Sequence, residues 1–154
     1  MVEELAKKVD SKTAEKYFLT AIKIKPYYFE SKQGLGELAF QSQNYDNSLN
    51  YYQKALLLRP SNAKIMCIIG DLLTKTGEPD RAVDYYSDAL ALKPSEPEIY
   101  NKLGTVFFSK NMIDKARGNF ETAFRLNPKF DKGYYNLGLV ALKQGKTNDA
   151  LINY

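Results

Sequence analysis

Residues 97–130 read PEIYNKLGTVFFSKNMIDKARGNFETAFRLNPKF. Tyr100, Leu103, Gly104 and Phe107 are spaced i, i+3, i+4, i+7, which places them on one face of a helix. Ala116, Phe120 and Ala123 are spaced i, i+4, i+7 and form a second such stripe. Between the stripes stands Asn111, a residue type that tolerates the left-handed conformation in which helices end. Pro128 closes the stretch, because proline cannot donate within a helix and turns the chain onward. The stretch therefore reads as helix, turn, helix and exit. Glycine and alanine let the two helices approach, and the aromatic rings fill the space beside them.

The same order recurs outward in both directions. Pro26, Pro60, Pro94 and Pro128 are 34 residues apart, and so are Gly36, Gly70, Gly104 and Gly138. Residues 29–62 carry Leu35-Gly36, Tyr52, Ala55 and Pro60, but have Lys32, Ala39 and Ser48 where two large aromatics and an alanine are preferred. Residues 63–96 carry Ile69-Gly70, Leu73, Ala82, Tyr86, Ala89 and Pro94, with Pro79 just inside the second helix, where a missing N–H costs nothing. Residues 131–154 carry Tyr134, Leu137-Gly138, Ala141, Ala150 and Tyr154. Residues 1–28 show mainly second-helix features, Ala14, Phe18, Ala21 and Pro26. Residues 2–8 are expected to be the last half of a separate first helix, with Val2 where other copies have glycine. First helices are expected to end near Gly77, Asn111 and Gly145.

On these residues and this period the chain resembles the tetratricopeptide repeat (TPR) family. The resemblance implies an all-α fold, a right-handed α-solenoid of stacked antiparallel helix pairs. Its segments would be 1–28, a partial repeat, then 29–62, 63–96 and 97–130, then 131–154, a truncated repeat. One helix pair cannot bury both of its faces, so such repeats must stack on their neighbours.

Composition removes several functions. The 154 residues contain 22 basic and 18 acidic groups, a net charge of +4 without a long basic run, too balanced to argue for nucleic acid. There is no histidine, and so no usual general base, neutral-pH switch or common metal ligand. A single cysteine, Cys67, excludes an intrachain disulfide. No apolar run approaches the ~18 residues of a membrane helix, and the start has no apolar signal region. No cofactor or metal site is expected, and the compartment stays open with the cytoplasm as default.

Two features imitate chemistry. Gly34-Leu35-Gly36-Glu37-Leu38-Ala39 fits G-x-G-x-x-A, yet a dinucleotide site needs a strand before it and a helix opening at it. Here the match falls inside a first helix. Cys67 lies between Met66 and Ile68 in an apolar stretch, where packing explains it better than reactivity.

The family resemblance also implies a site. In TPR proteins the first-helix face away from the packing stripe lines a concave groove that holds partner segments. Carried over by repeat position, that groove contains Glu37, Phe40, Lys64, Asp71, Asn101, Thr105, Phe108, Lys132, Tyr135, Leu139 and Leu142. Glu30, Gln33, Cys67, Lys75, Glu98 and Lys143 belong to the same set. Carboxylates and lysines are balanced in it, with the apolar groups concentrated at Tyr135, Leu139 and Leu142. Acidic Glu37 and Asp71 speak against the relatives that clamp an acidic chain terminus. Phe40, Phe108 and Leu142 also admit a plainer role, packing against the adjacent first helix.

The expected function is therefore a non-enzymatic scaffold that binds a peptide or helical segment of another protein. Two alternatives stay open. One is a structural array that self-associates through its ends into a homo-oligomer. The other is the recognition part of a longer protein whose catalytic domain lies elsewhere.

Overall fold

The computed structural model of the chain describes residues 2–145, and side chains from Asp10 onward. Ala150 and Tyr154, assigned to the packing stripe from sequence, lie outside the described residues. The described chain is helical, and it divides into two compact units between Gly77 and Glu78. The first unit holds α1 (Val2–Ile24), α2 (Phe29–Gln41), α3 (Tyr45–Leu58) and α4 (Ala63–Lys75). The second holds α5 (Pro79–Leu92), α6 (Pro97–Ser109), α7 (Ile113–Leu126) and α8 (Asp131–Lys143).

Within the first unit α2 and α3 form a tight helical hairpin, with α1 packed on α2 and α4 on α3. Within the second, α6 and α7 form the equivalent hairpin, with α5 on α6 and α8 on α7. Burial follows the 34-residue period. Tyr52, Tyr86 and Phe120 are each 2% exposed, and Ala55, Ala89, Ala82, Ala116 and Ala123 are fully buried. Ser48 keeps the small size of the alanine it replaces, and its hydroxyl donates to the Gly36 carbonyl at 2.8 Å. That bond ties α3 to α2 and satisfies a polar group that is wholly buried.

The turns explain the period. Gln43, Gly77, Asn111 and Gly145 all have positive φ, at 59°, 84°, 59° and 73°. Gly77, Asn111 and Gly145 are the residues expected to end the first helices. Gln43 completes the series, although glutamine gains nothing from that conformation. After each of the first three turns the second helix opens with Asp46, Asp80 or Asp114 in its first turn, where a carboxylate faces the positive end of the helix dipole. Asn44 adds a side-chain cap, accepting from the Asn47 amide at 3.2 Å, and Asn62 caps α4 in the same way through the Ile65 amide at 3.1 Å.

The reading of residues 2–8 as a separate first helix is corrected. α1 runs unbroken from Val2 to Ile24. Position 9, one period before Gln43, is a valine, and a β-branched residue at positive φ is a genuine outlier. Position 12, one period before Asp46, is a lysine, which would oppose a helix start. With neither a left-handed residue nor a first-turn carboxylate, the helix continues.

Candidate functional site

In the first unit, α2 presents Glu37 and Phe40 one turn apart. Glu37 is exposed, and its carboxylate accepts from the Tyr52 hydroxyl at 3.0 Å and from Gln41 Nε2 at 3.2 Å. Burial of Tyr52, reinforced by the Glu37 carboxylate beside its hydroxyl, holds that phenol well above the usual tyrosine range. Phe40 is half-buried, its ring 5.8 Å from that of Tyr45. On α4, Lys64 is exposed in the first turn and Asp71 is half-buried. Glu30, at the start of α2, pairs with Arg59 at 2.6 Å, and the Arg59 guanidinium lies over the Phe29 ring at 3.8 Å. A hydrogen bond from the backbone, and then Arg59, lower the Glu30 carboxyl from its ordinary value.

In the second unit, α6 and α8 are joined by two polar links. Lys132 Nζ lies 3.4 Å from Glu98 Oε1, and Asn136 Nδ2 donates to Asn101 Oδ1 at 2.6 Å. Asn101, expected to face a groove, is only 7% exposed and forms part of this bridge. The Thr105 hydroxyl donates back to the Asn101 carbonyl at 2.9 Å. Phe108 is half-buried and packs against the cluster of Ala116, Phe120 and Val140. That leaves α8 to carry the apolar surface. Tyr135 is 53% exposed and Leu142 48%, with half-buried Leu139 between them on the same stripe.

The sequence alone did not single out Asn136 as Asn101's partner. The signal was available, because a residue one period and one position further on lies within reach of its counterpart on the next first helix. A cleft of about 560 Å³ in the first unit was also unforeseen. It is bounded by α1 at Ser11 and Glu15, α2 at Leu35, Leu38 and Ala39, and α3 at Tyr51.

The G-x-G-x-x-A match lies in the middle of α2, and its glycines serve packing. A Cβ on Gly34 would stand 2.5 Å from the tip of the Phe18 ring, and one on Gly36 would stand 2.9 Å from the Tyr52 ring. Cys67 is half-buried within α4. Among the described residues, no helix is long and apolar enough to cross a membrane.

Comparison with known proteins places this architecture. The family model described as "Tetratricopeptide repeat" matches residues 34–97, and the model described as "TPR repeat" matches residues 104–145. No curated protein matches the sequence. Among solved structures, a crystal structure of MamA superposes with a TM-score of 0.86 at 24% identity, covering 97% of this chain and 88% of that one. MamA 41-end from Desulfovibrio magneticus RS-1 gives 0.85 at 18% identity, covering 98% and 85%. YrrB, a TPR protein with an unusual peptide-binding site, gives 0.79 at 20% identity, covering 98% and 78%. At these identities the likeness shows the fold, an all-α TPR solenoid. With two repeat models matched along its length and the 34-residue period built into its turns and its core, the chain belongs to the tetratricopeptide repeat family.

Proposed function

We propose that this chain is a protein-interaction scaffold that holds a peptide or helical segment of another protein against its first-helix faces. Membership of a family of interaction repeats supports the scaffold reading, and the unusual peptide-binding site of YrrB supports the kind of ligand. The observation that carries the proposal is the α8 stripe of Tyr135, Leu139 and Leu142. It is contiguous apolar surface, and such surface marks contact with a partner more often than scattered exposed residues do. Lys132 and Glu98 stand near the start of the same two helices, α8 and α6, and offer both charges to an incoming segment. On the first unit, Glu37, Phe40, Lys64 and Asp71 offer the same mixture of acid, base and aromatic.

The test is affinity capture from a lysate of the source organism, run in parallel with the wild type and a Tyr135→Ala, Leu139→Ala double variant. A protein retained by the wild type and lost from a variant with an unchanged circular dichroism spectrum supports the site. Equal retention by both places the binding surface elsewhere.

A further inference from the structure

In the hairpins α2–α3 and α6–α7 the first helix covers one face of the second. On that face Ser48, Ala55, Ala116 and Ala123 are fully buried, and Tyr51 and Asn119 beside them are half-buried. α1 carries the same face at the same repeat positions, as Ala14, Ala21 and Tyr17. Because α1 runs unbroken from Val2, no first helix of its own repeat folds back over this face. Ala14 and Ala21 are left half-buried, and Tyr17 is 69% exposed. Ile24 is 80% exposed, whereas its counterparts are half-buried at Leu58 and 39% exposed at Leu126. The contact of α1 with α2 lies to one side, where the Phe18 ring rests on the backbone of Gly34.

We propose that this face pairs with the same face of a second copy of the chain, the two α1 helices lying antiparallel across a two-fold axis. The order of charges along it argues the occupant. Asp10, Ala14, Ala21 and Lys25 follow at steps of four, seven and four residues, so they form one line along the helix. Lys25 extends that line past Ile24, since its amide still bonds to the Ala21 carbonyl at 2.8 Å. Asp10 and Lys25, at the two ends, are both exposed. With the axis between Tyr17 and Phe18, Ala14 lies opposite the partner's Ala21, and Asp10 opposite the partner's Lys25. The alanines let the backbones approach, while Tyr17 and Ile24 pack along the flank. A parallel pairing would instead set Asp10 against Asp10 and Lys25 against Lys25, which like-charge repulsion opposes. One helix pair is a small interface, so the dimer belongs to the weak class. This surface lies in the first unit and is independent of the α8 stripe.

The experiment is sedimentation velocity on the chain over a wide concentration range. The expected result is a monomer–dimer equilibrium with a Kd of about 10–100 μM. Asp10→Lys and Lys25→Asp should each weaken it about tenfold or more, because each sets like charges together at both ends of the helix pair. An equimolar mixture of these two variants should associate at least as tightly as the wild type, since every facing pair is then opposite in sign. A purely structural effect of either substitution would not be rescued by mixing. A monomeric mass up to about 1 mM would overturn the proposal. So would a dimer that neither reversal weakens, or a mixture that associates no better than its components.

Discussion

A Cβ atom on Gly104 would lie 2.4 Å from Cε1 of Phe120, so the ring on α7 rests directly on the backbone of α6. The contact is between a ring and a main chain, with no side chain between them. Gly36 and Tyr52 repeat it in the first unit at 2.9 Å. Gly104→Ala should therefore destabilise the protein by about 1–3 kcal/mol despite alanine's better helix propensity. Gly118 on α7 has nothing within 4 Å of its Cβ position, and Gly118→Ala should stabilise by about 0.5–1 kcal/mol. Urea unfolding of the two variants should give opposite signs.

Gln43 occupies the left-handed region without the freedom of glycine. Gln43→Gly should relieve part of the ~1–2 kcal/mol that the conformation costs an ordinary residue, a net gain of about 0.5–1 kcal/mol. Gly77→Ala should lose a similar amount at the equivalent turn. An unchanged urea midpoint for Gln43→Gly would show that the turn carries no strain.

The Tyr52 phenol is raised in the folded state, so its neutral form is the one the fold favours. The associated stability is fully present below the unfolded tyrosine value near pH 10 and is lost as pH rises from there toward the folded value. Thermal unfolding measured from pH 9 to 11 should show this alkaline loss, and Tyr52→Phe should reduce it. At neutral pH the same variant should cost about 0.5–1.5 kcal/mol, since exposed Glu37 returns to water on losing its partner.

Asn101 and Asn136 form a half-buried amide bridge between α6 and α8. Asn136→Ala leaves the buried Asn101 Oδ1 without its donor and should cost about 1–3 kcal/mol. Replacing both asparagines with leucine should be closer to neutral, because no polar group is then stranded. The coupling energy from the double-mutant cycle measures the bridge directly, and additive single effects would deny it.

The fold was legible because its determinants are local and repeated. Ala116, Phe120 and Ala123 declare a helix by spacing alone, and Gly77, Asn111 and Gly145 declare its ends by conformational tolerance. Gln43 was not legible, because nothing about a glutamine announces positive φ. The unbroken α1 was legible in principle from Val9 and Lys12, but only by asking what those positions lack. The candidate site was less legible, since face assignment does not reveal pairing. Asn101 lies on a first helix as expected, yet its amide is engaged by Asn136 and it is almost covered. Phe108 likewise faces the core cluster, and the exposed apolar surface falls to Tyr135 and Leu142. The cleft at Ser11 was hidden for another reason. It is a void between three helices, which the spacing along any one helix does not reveal.

The left-handed residues at 43, 77, 111 and 145 have a consequence for the chain's history. Recombination between two gene segments that each break at such a turn adds or deletes a whole helix pair and leaves every remaining helix end intact. A chain built this way inherits its length in units of 34 residues. A β-branched residue at the turn acts differently, since the left-handed position is closed to it, and the valine at position 9 lies within the unbroken α1.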